Sequence, residues 1–164
     1  QAPPALAIIK AIITQQISAP PSIPPNAFGP KIVPTTTGAA IAVTKTLPQL
    51  TGKFDGLSIR VPTPVVSISD VTVLLGREAT PETINAAFKK AAAEPFYQGI
   101  LGVSEEPLVS RDYIGNSHSG VVDLLLTKVV GGNLAKIMVW YDNEWGYSNR
   151  LVELVADVGK GLHR

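Results

Sequence analysis

The chain has 164 residues, 45% hydrophobic and 16% charged, which reads as a folded globule with a real core and excludes a disordered segment. Lys and Arg number 14 against 13 Asp and Glu, a net charge of +1 that offers no polyelectrolyte footprint for DNA or RNA. There is no cysteine, hence no disulfide frame, no thiolate metal site and no thiol nucleophile in these residues.

The first 30 residues differ in character from the rest. The apolar run at 5–13 is far shorter than a membrane span and contains Lys10. No basic region or small-residue cleavage pattern marks it as a signal peptide. Residues 5–16 are expected to form a helix, with Leu6, Ile8, Ile9, Ile12 and Ile13 covering most of its surface, so that it wants burial on more than one side. Pro20, Pro21, Pro24 and Pro25 then forbid both a helix and a central strand and imply an extended connector. The chain begins at Gln1 and not at methionine, which reads as a processed, excised or engineered product.

From Lys31 the sequence becomes regular. Thr37-Gly38 opens a helical stretch, Ala39 to about Thr46, that stops before Pro48. Leu57, Ile59 and Val61 alternate with Ser58 and Arg60, a strand with one apolar and one polar face, ended by Pro62 and Pro64. Residues 65–75 read as a second strand. Thr80-Pro81-Glu82 marks a helix start, a capping threonine followed by proline at the first helical position, and Ile84, Phe88 and Ala91 form its apolar stripe. Residues 115–120 read as a loop, 121–130 as a strand, Gly131-Gly132 as a turn and Leu134–Tyr141 as another strand. The fold class is α+β, a mostly antiparallel sheet with helices packed on one face and no Rossmann domain. A single domain is expected, with residues 1–30 an atypical helix plus proline-rich connector and 31–164 the regular core. Neither internal repeats nor a glycine-rich dinucleotide loop with its βαβ unit occur in the 164 residues.

Candidate chemistry is sparse. Backbone N–H groups and hydroxyls at Thr35-Thr36-Thr37-Gly38, before a helix, make a natural anion site, with an ordinary N-cap as the alternative. Arg60, on the polar face of its strand, can hold a phosphate bidentately or stand as a solvated arginine. His118, between two serines, reads as a loop histidine without a chemical role, and His163 as part of a basic tail with Lys160 and Arg164. Glu105-Glu106 reads as surface. The stretch Val139-Trp140-Tyr141-Asp142-Asn143-Glu144-Trp145-Gly146-Tyr147-Ser148-Asn149-Arg150 holds both tryptophans and two of the four tyrosines. Leu151, Leu154, Val155 and Val158 follow at helical spacing, with Arg150, Glu153 and Asp157 on the other side, so a packed helix is expected. Asp142-Asn143-Glu144 then occupies a strand-to-helix turn. Asp142 or Asn143 can cap the helix, and Glu144 sits well at its positive end. Such a turn can carry a ligand group, or can be a helix cap beside an aromatic cluster.

The segment Trp140-Tyr141-Asp142-Asn143-Glu144-Trp145-Gly146-Tyr147-Ser148-Asn149-Arg150 resembles the C-terminal signature of the glyceraldehyde-3-phosphate dehydrogenase family, which includes the erythrose-4-phosphate enzymes. Three further blocks agree in order: Val33-Pro34-Thr35-Thr36-Thr37-Gly38-Ala39-Ala40, Arg60-Val61-Pro62-Thr63-Pro64, and Ser104-Glu105-Glu106-Pro107-Leu108-Val109-Ser110-Arg111-Asp112-Tyr113. The resemblance runs from about residue 32 to about residue 161 and covers the second half of that family's catalytic domain. It implies that Thr37 and Gly38 belong to an inorganic-phosphate pocket and that Arg60 contacts the substrate phosphate. It also implies that Asn143 hydrogen-bonds a nicotinamide carboxamide and that Tyr147 packs beside that ring.

In that family a cysteine thiolate attacks an aldehyde, a histidine assists as base, hydride passes to NAD or NADP, and phosphate releases the acyl group. The cysteine stands before a helix resembling Leu6-Ala7-Ile8-Ile9-Lys10-Ala11-Ile12, where this chain has Gln1-Ala2-Pro3-Pro4. The histidine strand and the cofactor-facing loop have no match in residues 14–32. Ile41 stands where the family usually has lysine and suits a packing surface against residues 5–16; Gly120 replaces a common serine. No catalytic residue is therefore assigned. The resemblance implies a truncated and engineered catalytic domain of a cytoplasmic, glycolytic oxidoreductase, inactive in isolation. NAD or NADP serves the intact family and is not expected to bind this chain alone. Thr37, Gly38 and Arg60 are expected to converge on one anion-sized concavity that holds phosphate or a phosphorylated aldehyde weakly. A homo-oligomer through the sheet face is a further expectation; nucleic acid and membrane are not expected partners. The alternative is an engineered or trimmed structural or assembly module without enzymatic activity.

Overall fold

The computed structural model describes residues 32–162. The expected helix at 5–16, the proline connector and His163 lie outside them. The chain forms two compact units, Gln1–Val65 and Val66–Arg164.

In the first unit, strand β1 (Val33–Thr36) pairs antiparallel with β2 (Leu57–Arg60), Val33 opposite Arg60 and Thr36 opposite Leu57. Helix α1 (Ala39–Thr46) follows Gly38 directly, and a short 3₁₀ turn at Pro48–Leu50 ends it. Val43 and Leu47 form a small core, with Leu50 and Phe54 packed against it. The faces of β2 are the reverse of the sequence expectation. Leu57 and Ile59 are 66% and 59% exposed, whereas Ser58 and Arg60 are half-buried on the same face as Val33 and Thr35. Alternation says that two faces differ; it does not say which is covered, and a two-stranded sheet has too little surface to cover both. Ile41 is 62% exposed; the packing expected there, against residues 5–16, lies outside the described residues.

In the second unit, β3 (Ser67–Leu74), β4 (Leu101–Ser104), β5 (Gly120–Val130) and β6 (Leu134–Tyr141) form one sheet in the order β3-β6-β5-β4. The β3–β6 and β5–β6 pairs are antiparallel, and β4 runs parallel to β5. Gly131 and Gly132 turn β5 into β6 with φ of 59° and 80°, a left-handed geometry that glycine adopts without cost to a side chain. Helix α2 (Pro81–Ala92) starts as its sequence dictates: Thr83 N–H donates to Thr80 Oγ1 (3.3 Å), and Thr80 N–H donates to Thr83 Oγ1 (2.9 Å). Its apolar stripe lies against β4 and β5, with Phe88 fully buried, and Val122, Ile137 and Val139 fill the same core from the sheet. Gly102 lets β4 lie close to β5, since a Cβ there would meet Val121 Cγ2 at 3.1 Å. Strand β5 slips register between Asp123 and Lys128, a bulge that leaves Leu125 and Leu126 both exposed. Val66, just before β3, is buried with φ of 74°, a backbone region that a β-branched residue enters only under strain.

Helix α3 (Trp145–Leu162) forms as expected but is not packed as expected: Leu151, Leu154, Val155 and Val158 are all exposed. Its first two turns hold the helix, through the Asp142 cap, buried Gly146 and a bond from Arg150 Nη1 to the Gly99 carbonyl (3.1 Å); beyond Arg150 the apolar stripe is exposed. An amphipathic pattern records a face that needs a partner, not that the partner is present. Among the described residues no helix is long and apolar enough to cross a membrane, and no cluster of His, Asp and Glu stands close enough to hold a metal ion.

Candidate functional site

The turn from β6 into α3 is fixed by one carboxylate. Asp142 Oδ1 accepts the backbone N–H of Glu144 (3.0 Å) and of Trp145 (2.8 Å), and Asp142 O accepts the first helical bond from Gly146 (3.0 Å). Asp142, not Asn143, is therefore the cap. Its other oxygen, Oδ2, accepts Gly115 N–H (2.8 Å) and ties the loop at 115–120 to the same turn. Buried Asp142 thus takes hydrogen bonds on both oxygens, as a buried charge requires.

With the cap assigned to Asp142, the Asn143 side chain is released for other contacts. Ser67 Oγ donates to Asn143 Oδ1 (3.3 Å), which leaves the amide N–H₂ of Asn143 as its donor group. Tyr147 lies four residues on, in the first turn of α3, and is partly exposed. Behind the turn, Trp140 stacks on Tyr113 with centroids 5.4 Å apart and planes 14° apart, and Trp140 Nε1 donates to buried Asp123 Oδ2 (3.1 Å). The aromatic cluster foreseen at Trp140 is thus a support for the turn. Ser67, Asp123 and Tyr113 were not foreseen, because each reaches the turn only through strand pairing or a long loop.

In the first unit, Gly38 takes the N-cap position of α1, and no side chain caps the helix among the described residues. A Cβ at Gly38 would meet nothing within 4 Å among the described residues, and the first-turn N–H groups of such a helix are potential anion donors. Arg60 is half-buried at the far end of the strand pair, opposite Val33, whereas Thr37 lies one step beyond the Thr36–Leu57 pair. Four residues of strand separate the two backbones by about 13 Å. Thr37 and Gly38 thus stand at one end of the strand pair and Arg60 at the other. His118 is half-buried, with Nδ1 2.9 Å from Asn116 Oδ1, and burial together with the Arg150 charge holds its pKa below the usual imidazole value. Glu105 pairs with Lys89 (2.7 Å).

A family model described as glyceraldehyde 3-phosphate dehydrogenase, C-terminal domain, matches residues 14–143. Among curated proteins, a glyceraldehyde-3-phosphate dehydrogenase of Geobacillus stearothermophilus is 53% identical over 138 residues, 84% of this chain and 41% of that protein. Glyceraldehyde-3-phosphate dehydrogenase 1 of Bacillus subtilis is 53% identical over 135 residues, 82% of this chain and 40% of the relative. The Zymomonas mobilis protein of the same name is 50% identical over 131 residues, 80% and 39% respectively. The chain therefore spans about 40% of the length of the curated relatives it matches.

Proposed function

This chain belongs to the glyceraldehyde-3-phosphate dehydrogenase family, matching its C-terminal, catalytic domain, and on that premise we propose that it is the substrate-binding part of an NAD(P)-dependent phosphorylating aldehyde dehydrogenase. The observation that carries the reading is the β6–α3 turn. Asp142 fixes the backbone, Ser67 turns the Asn143 amide so that a donor remains, and Tyr147 stands in the first turn of the helix that follows. A carboxamide needs such a donor for its carbonyl and an aromatic edge for its ring, so Asn143 and Tyr147 fit the nicotinamide end of the cofactor. When bound, that cofactor supplies hydride acceptance. The chain's own residues orient the ring and hold the phosphates: the N-terminus of α1 at Thr37 and Gly38 suits inorganic phosphate, and Arg60, at the other end of the strand pair, suits the phosphate of the aldehyde. Two separate positions agree with a reaction that joins a phosphorylated aldehyde to a second phosphate.

These 164 residues hold no cysteine, and acyl transfer through a thioester needs a thiolate. Alone they form no NADH or NADPH from glyceraldehyde 3-phosphate, cofactor and phosphate, and they bind neither dinucleotide measurably, since Asn143 and Tyr147 reach only its ring end. Product above a no-protein control would refute this. The competence of the domain is tested separately by placing residues 32–162 into the aligned segment of the Bacillus subtilis relative. An active chimera whose KM for NAD rises with Asn143→Ala supports the reading; an active chimera indifferent to Asn143→Ala overturns the role given to that residue.

A second reading, an assembly module, draws on the exposed apolar residues of α3 and on the uncovered sheet face, where Ile68, Leu74 and Leu134 flank the Asp70–Lys136 ion pair (2.6 Å). A homo-oligomer through that face requires a mass above the monomer by light scattering that falls when Ile68 is replaced by Lys.

A further inference from the structure

Asp142 satisfies the β6–α3 turn with both carboxylate oxygens, so the backbone there makes no demand on the Asn143 amide. One side chain nevertheless reaches it. Ser67 Oγ donates to Asn143 Oδ1 at 3.3 Å, from 76 positions away, with both residues half-buried. A carboxamide turned by 180° presents its oxygen where its N–H₂ stood. A hydroxyl that donates to Oδ1 therefore holds one of two orientations, the one in which the Nδ2 donors point away from Ser67.

A costly piece of backbone places Ser67. It opens β3 opposite Tyr141, and the ladder continued by one step would set Val66 opposite Asp142. Instead Val66 takes φ of 74° with its side chain buried, and the pairing stops at Ser67. Left-handed backbone at a β-branched residue persists only where the surroundings over-determine it, and such outliers gather at functional sites. The ladder is thus broken at the point where a further rung would lie against the turn. Neither the helix cap nor the β3–β6 pairing uses the Ser67 hydroxyl, so the Asn143 amide is the group it serves.

We infer that Ser67 is a positioning residue: its hydroxyl holds the Asn143 amide with Nδ2 free to donate, so that the site receives the carbonyl oxygen of a carboxamide. The inference rests on the contact proposed above between Asn143 and the nicotinamide. Without the hydroxyl the amide samples both orientations, and the turned one sets Oδ1 against the carboxamide oxygen, acceptor against acceptor. Ordering one such side chain at the moment of binding lowers affinity by about 2- to 10-fold.

The test has two arms. The first uses the 164-residue chain without cofactor and reads the heteronuclear NOE of Asn143 Nδ2. It falls in Ser67→Ala and recovers in Ser67→Thr, which keeps the hydroxyl and suits a strand. The backbone amides of Glu144 and Trp145 keep their NOE values, because Asp142 holds them. The second arm uses the chimera described above. Ser67→Ala raises KM for NAD about 2- to 10-fold with kcat changed less, Ser67→Thr restores it, and Ser67→Ala adds nothing to Asn143→Ala. An unaltered Asn143 side chain in Ser67→Ala, or mobility that spreads to the Glu144 and Trp145 backbone, overturns the positioning role. Asn143→Ala raising KM while Ser67→Ala leaves it unchanged overturns this role alone. Asn143→Ala without effect overturns the nicotinamide contact, and this role with it.

Discussion

Replacing Asp142 tests whether one side chain holds the β6–α3 turn together. Asp142→Ala removes acceptors from three backbone N–H groups, those of Glu144, Trp145 and Gly115. Loss of an N-cap costs about 1 kcal/mol. Gly115 is exposed, so its released N–H can turn to water and the lost bond adds about 0.5–1.5 kcal/mol. The sum is about 2 kcal/mol, a large share of a stability of roughly 5–15 kcal/mol. At a urea slope near 2 kcal/mol/M, the unfolding midpoint falls by about 1 M. Asp142→Asn separates the two parts. Its carbonyl still caps the helix, while its amide presents a donor to Gly115 N–H, so the cost is about 0.5–1 kcal/mol. Both variants are measured by urea unfolding followed through tryptophan fluorescence, with the slope unchanged. A loss below about 1 kcal/mol for Asp142→Ala, or equal losses for the two variants, would refute the reasoning.

At Val66, φ of 74° makes backbone strain and side-chain packing pull in opposite directions. Val66→Ala keeps the strain and loses packing, whereas Val66→Gly relieves the strain, so the glycine variant is the more stable by about 1 kcal/mol in the same unfolding assay. His118 makes stability depend on pH. Its folded pKa is depressed, so the unfolded chain binds the proton more readily; the contribution is fully present above about pH 6.5 and is lost as pH falls through the folded value. The slope of stability against pH in that window flattens in His118→Gln, while the lowered pKa of Glu82 acts only in the more acidic, carboxylate range.

Local signals in the sequence located the elements whose causes are local. Thr80-Pro81 fixed the start of α2 because capping is settled within four residues, and Gly131-Gly132 fixed the turn between β5 and β6 for the same reason. Strand β4 was not foreseen: Leu101-Gly102-Val103-Ser104 is short, and it becomes a strand by parallel pairing with a segment 19 residues away, Leu101 opposite Gly120. The choice between Asp142 and Asn143 as the cap was open because both residue types cap equally well. It is decided by Gly115, which takes the second oxygen of Asp142, and by Ser67, 76 positions from Asn143, which takes up its side chain. Alternation in β2 and periodicity in α3 gave the correct elements. The burial they implied did not follow, since pattern encodes which residues share a face and not what covers it.

The claim that this domain binds phosphate groups at two positions is tested most directly by amide NMR titration with inorganic phosphate and, separately, with glycerol 3-phosphate. Inorganic phosphate should shift the amides of Thr37 and Gly38 with an affinity on the order of 1 mM, since few charge-assisted hydrogen bonds hold it. Arg60→Ala should weaken the response to glycerol 3-phosphate more than the response to inorganic phosphate. Shifts confined to the basic tail at 160–164, or titrations with both ligands left unchanged by Arg60→Ala, would contradict the account.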